Sequence, residues 1–291
     1  MKRYQNGAIL PLTLMIIAIL MMIGSILVIK SNSSISDAQI AKDRFEARLK
    51  IHSAEQRLFF GIYAGERLPV GYQIGNLFLR SDGEPVLLSN GVSLSIQDIM
   101  GLVSLRFIKR NELRTLLSIY VDSETAKDIT EKIISWQRRN PENYGRQDLF
   151  RSMDELLLID GITPDIYNGT ENKPGLKNLF ALNNAIENNF SVVPNFLLKN
   201  MYSLTNEQID RIEKLKIEKR WNHLSRYLSE LGLGSELVPS SRMRVYYEYN
   251  GFRAVAEYQI HSATSLPPPI RLWRFPDNKR HFMMVPASGD M

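Results

Sequence analysis

Residues 8–29 read AILPLTLMIIAILMMIGSILVI, a stretch of 22 positions without a charge. About 20 apolar residues, rising about 1.5 Å each as a helix, cover the hydrocarbon core of a bilayer. This stretch decides the fold, because it predicts one membrane-spanning helix with the rest of the chain on one side of the membrane. Lys2 and Arg3 precede it, and only Lys30 follows closely before Asp37. That asymmetry keeps the short N-terminus in the cytoplasm and exports the body. Pro11 falls where the first turn of a helix tolerates it.

The same block explains the composition. The chain has 291 residues, 44% hydrophobic and 23% charged, with a formal charge of +5. Much of the apolar excess is the one stretch, and two of the positive charges lie in front of it. With no Cys, disulfide frameworks, thiol catalysis and cysteine metal sites are excluded. A body exported to an oxidising compartment is then held by packing alone.

A secretory cleavage site follows its apolar core at a small-x-small sequence. Ser25 to Ser31, SILVIKS, is a poor one. The more informative junction lies before the core, where MKRYQNG ends at Gly7 and the apolar run opens at Ala8. The segment resembles the class III leader of pilin-like proteins, which implies a cut at that bond; without the resemblance it reads as an uncut signal anchor. After Lys30, SNSSISD predicts a polar hinge, and a helix is expected from about Asp37 to Tyr63. Its packing face, read from spacings of three and four, is Ala38, Ala41, Phe45, Leu49, His52, Gln56 and Phe59.

Beyond the helix, Gly65, Gly71, Gly75, Gly83 and Gly91 point to loops and short strands. Val92 to Ile96 alternates as a strand, and Leu102 to Phe107 is expected to form another. Helical features then dominate. Ile129, Ile133 and Trp136 share a face, Ser152 with Glu155 and Thr205 with Gln208 match capping boxes, and Thr163-Pro164 suits a helix start. Arg244 to Tyr249 and Phe252 to Ile260 flank Asn250-Gly251, the strongest short hairpin sequence. Leu272 to Phe275 and His281 to Val285 are expected edge strands. The early strands need the late hairpin to complete a sheet, so the reading is α+β. A stem helix packs on a small antiparallel sheet, and a large all-helical domain is inserted in that sheet.

Several blocks resemble the K-type minor pseudopilins of type II secretion systems, members of the pilin-like superfamily. They are Ile96 to Leu105 (IQDIMGLVSL), Ile133-Ile134-Ser135-Trp136, and above all RSMDELLLIDGITPDIYN from Arg151 to Asn168. Phe190 to Leu198 is a weaker echo, with Ser191 and Val193 where the family carries paired Asn. The resemblance implies residues 1–7 as a class III prepilin leader and 8–63 as the membrane and periplasmic stem. It implies 64–106 and 241–291 as the two parts of the pilin-like sheet, and 107–240 as the inserted helical domain. It further implies cleavage between Gly7 and Ala8 by a prepilin peptidase and methylation of Ala8. The fifth mature position, usually Glu, is Leu12. A buried charge without a partner is costly in lipid, so a subunit with Leu there suits a fibre tip, where no such pairing is needed. The implied function is initiation of the pseudopilus, without enzymatic activity. The implied partners are the I-type and J-type minor pseudopilins, the prepilin peptidase and the inner-membrane assembly platform. A minor pilin or tip adhesin of a type IV pilus is the alternative, and a periplasmic enzyme on a signal anchor is a third.

Chemistry-bearing alternatives are weak. LLLIDGITPDIYN also looks like a helix-hairpin-helix that presents loop amides to phosphates, but Thr163 stands where a second Gly is usual and Pro164 has no N–H. Loss of the leader leaves 34 basic against 31 acidic residues, so no nucleic-acid partner is expected. His52, His223, His261 and His281 have no metal-ligand spacing. Arg138 and Arg139 after Trp136 disfavour calcium, which needs six to eight oxygen ligands, so neither metal nor cofactor is expected. Asp154 and Glu155 read as first-turn acids, and Glu207 to Arg220 as a solvated helix face. The aromatics Tyr246, Tyr247, Tyr249, Phe252 and Tyr258 form either an exposed patch or cross-strand pairs.

Overall fold

The apolar run forms a helix that does not stop at the polar segment. In the computed structural model, which describes residues 9–137, 148–170, 172–182, 189–234, 236–260 and 268–276, α1 spans Ile9–Ala64. The hinge expected at Ser31 to Asp37 is helical throughout. No Gly or Pro interrupts it, and the hydroxyls are absorbed locally: Ser34 Oγ donates to Lys30 O at 3.0 Å, as Ser25 Oγ does to Met21 O at 2.9 Å. Contacts divide the chain into two units, Met1–Leu49 and Lys50–Met291. In the first, the apolar window has a mean hydropathy of 2.9 and none of it is buried, so the helix is long and apolar enough to cross a membrane.

The second unit begins with the last turns of α1. Ile51, Ala54, Leu58, Phe59 and Ile62 are buried against a sheet. Of the expected packing face only Phe59 takes part, because Phe45, Leu49, His52 and Gln56 are exposed. Spacing alone cannot choose between stripes of similar period. The sheet chooses, by offering Ala254, Ala256 and the ring of Tyr258 to Ala54 and its neighbours.

The strands are β1 (Glu66–Leu68), β2 (Gly71–Ile74), β3 (Leu77–Arg80), β4 (Asp82–Leu87) and β5 (Ser93–Asp98), then β6 (Val103–Ser104), β7 (Phe180–Ala181), β8 (Arg242–Tyr249), β9 (Phe252–Gln259) and β10 (Ile270–Arg274). β1, β2 and β3 form a small antiparallel sheet. The larger sheet runs β10-β9-β8-β5-β4, every pair antiparallel. Leu94 faces Tyr247, and Ile96 faces Val245. The period of two puts Val245 and Tyr247 on the helix side, and Arg244 and Tyr246 on the other. Asn250 (φ 46°) and Gly251 (φ 80°) close the β8–β9 hairpin with both central residues left-handed, as a type I′ turn requires. β10 supplies the edge strand expected at Leu272 to Phe275; His281 to Val285 lies outside the described residues.

Between β5 and β8 run α2 (Arg110–Leu117), α3 (Ser123–Trp136), α4 (Pro164–Asn168), α5 (Leu176–Leu179), α6 (Asn195–Asn200), α7 (Asn206–Ile217) and α8 (Trp221–Glu230), with 3₁₀ turns among them. They share an apolar core that includes Leu116, Ile129, Ile133, Leu156, Tyr167, Ile212 and Leu228. The expected caps form: Thr163 Oγ1 accepts from Ile166 N with Pro164 in the first turn, and Thr205 and Gln208 make the reciprocal box. Two expectations change. Ser152 caps a 3₁₀ helix, Met153–Leu158, in place of an α-helix. Of the strand expected at Leu102 to Phe107 only Val103–Ser104 pairs, parallel to Phe180–Ala181, while Arg106 and Phe107 are exposed.

The two passages between sheet and helices are pinned by side chains. Asp98 Oδ1 accepts from Met100 N and Oδ2 from Ser240 N, both at 2.8 Å. Burial pushes the Asp98 carboxyl up, opposed by the hydrogen bonds from Ser240 and Met100. Arg67 Nη2 donates to Pro239 O and Ser240 O at 3.0 and 2.6 Å. Gly101 lies where a Cβ would meet Val192 O at 2.1 Å. Since that neighbour is backbone, Gly101→Ala is expected to lower stability by about 3 kcal/mol. Thermal melting checks this, and an unchanged midpoint would show that the contact is not needed.

Candidate functional site

The features that stand out are the long apolar helix of the first unit and, within the second, a groove and a set of ionic struts. On α1, Leu12 is in the helix and exposed, whereas Gly7 and Ala8 lie outside the described residues. Within the second unit, Gln56, Arg57 and Phe60 of α1, Leu77 of β3, Leu87 of β4, and Leu88 border a groove of about 810 Å³. Phe60 is 74% exposed and Leu87 75%. Paired large apolar side chains left in water at one groove mark an interaction surface more than scattered single ones do.

Behind the groove, polar groups fasten the sheet to its neighbours. Tyr258 OH donates to Glu55 Oε1 at 2.5 Å and lies 3.2 Å from Tyr247 OH, tying α1 to β8 and β9. Burial pushes the Tyr247 and Tyr258 hydroxyls up, so both stay protonated donors. Tyr246, Tyr247 and Tyr258 are buried, which settles the aromatic cluster as packing and not as an exposed patch.

A second strut is ionic. Lys216 of α7, fully buried, donates to Asp82 Oδ2 at 2.9 Å and to Glu213 Oε1 at 3.0 Å. Arg80 joins both carboxylates, bonding Asp82 and reaching Glu213 Oε2 at 2.5 Å. Burial pushes the Asp82 carboxyl up, but Lys216 and Arg80 together outweigh it and hold it down at about 2. The run from Glu207 to Arg220 is therefore not simply a solvated face. Ile209, Ile212 and Leu215 turn α7 inward and carry Lys216 with them. Nothing in the sequence around Asp82 marks it as the partner.

A third strut is Arg244, buried on the outer side of β8. Its Nε donates to Glu257 Oε1 at 2.8 Å, Nη1 to Lys177 O at 2.7 Å and Nη2 to Phe180 O at 3.2 Å. Asp154 accepts from Tyr167 OH at 2.5 Å and from Arg274 Nη2 at 2.6 Å, and Glu155 accepts from Arg151 N. Both acids thus serve as structural acceptors. Ser191 and Asn189 bond one another, and Asn189 Nδ2 donates to Val238 O. The 3₁₀ helix and α4 around Gly161 bury Leu156, Ile162 and Ile166 in the helical core. His223 is exposed, and His52 is exposed with Nδ1 3.2 Å from Glu55 Oε2. Among the described residues no group of three or more His, Asp or Glu could hold a metal ion. Arg138, Arg139, His261 and His281 lie outside them.

No protein-family model matches the chain, and no curated protein matches it. Among solved structures it is similar to a chain of the GspK-GspI-GspJ complex from the type 2 secretion system of enterotoxigenic Escherichia coli. The two are 11% identical with a TM-score of 0.44, over 82% of this chain and 98% of that one.

Proposed function

We propose that the protein is a non-enzymatic minor pseudopilin, anchored in the inner membrane with its body in the periplasm, that sits at the pseudopilus tip and helps initiate assembly. The observation that carries this reading is α1. One helix supplies an exposed apolar span at its start and, from Ile51 to Ile62, the packing face of a sheet domain. An ordinary tether needs no such construction, whereas a subunit that must stack by its stem does. On this reading residues 107–240 are a helical domain inserted between 64–106 and 241–291. Its bulk obstructs addition of a further subunit above it. Leu12 removes the intramembrane carboxylate that stacking subunits would pair with. The groove beside Phe60 and Leu87 then receives a neighbouring stem, with I-type and J-type minor pseudopilins as occupants, while the prepilin peptidase and assembly platform act on the membrane segment.

Mass spectrometry of the protein purified from membranes is expected to find a mature N-terminus at methylated Ala8, after Gly7. Any other N-terminus would sink the pilin-like reading. Co-purification with two other minor pseudopilins is expected as well; recovery in sheared surface fibres would instead indicate a pilus subunit.

A further inference from the structure

We draw no further inference here: the strongest candidate, the apolar groove between α1, β3 and β4 beside Phe60 and Leu87, belongs to the site already described, and nothing in the structure shows what covers it.

Discussion

Asp82→Asn is expected to lower the unfolding free energy by about 3–5 kcal/mol, the scale for breaking a buried ion pair from one side. The change keeps the shape of the side chain and removes its charge. Lys216 is fully buried, and Arg80 is 12% exposed at its side chain, so two cations would share Glu213 alone. Lys216→Met together with Asp82→Asn is expected to recover most of the loss, because the Arg80–Glu213 pair then stands balanced. Urea unfolding of the full chain in micelles reads both. A single variant within about 0.5 kcal/mol of wild type would show that the cluster is not a strut. The pH dependence follows with a definite sign. The folded Asp82 pKa, about 2, lies below its ordinary 3.8, so its contribution is full above about pH 4 and is lost as pH falls towards 2. Asp98 acts in the opposite sense, since its folded pKa is raised: its contribution is present at low pH and is lost as pH rises through that raised value. The gap between wild type and Asp82→Asn isolates the first effect and is expected to close between pH 4 and pH 2.

Arg244→Met is expected to cost about 4 kcal/mol. Three acceptors lose a donor at once: Glu257 and the carbonyls of Lys177 and Phe180. A buried acceptor left unmet costs about 1–3 kcal/mol, and a stranded charge more. Methionine fills much of the volume, so the loss reports the missing hydrogen bonds more than a cavity. Hydrogen exchange adds a readout specific to this strut: amides of β7 and its partner β6 are expected to lose protection before those of the β5–β8 pair. Uniform loss across the molecule would mean that Arg244 supports the core generally and not this junction.

The apolar helix, the caps and the hairpin were legible because each depends on residues a few positions apart. An uncharged run of 22, Thr163 before Pro164, Thr205 with Gln208, and Asn250-Gly251 each impose local geometry whatever surrounds them. The pairing of β5 with β8 was legible at one remove, since the early strands lacked partners until the late hairpin supplied them. The helix runs through Ser31 to Asp37 although that segment is polar, because composition alone does not break a helix: only Gly, Pro or a competing cap would stop the backbone ladder.

The face of α1 that packs and the burial of Lys216 belong to the tertiary structure alone. Lys216 meets Asp82 across 134 positions of sequence, and Arg244 meets Lys177 across 67. Such pairings leave no periodicity to read. A lysine in a charged helix looks the same whether its neighbours turn it to water or to a buried carboxylate. The sequence by itself determined the long apolar helix, the α+β class and where the chain turns, because those follow from backbone propensity and solvent preference position by position. Only the fold decided which charges are struts, because a buried charge is governed by whatever the rest of the chain places within hydrogen-bonding distance.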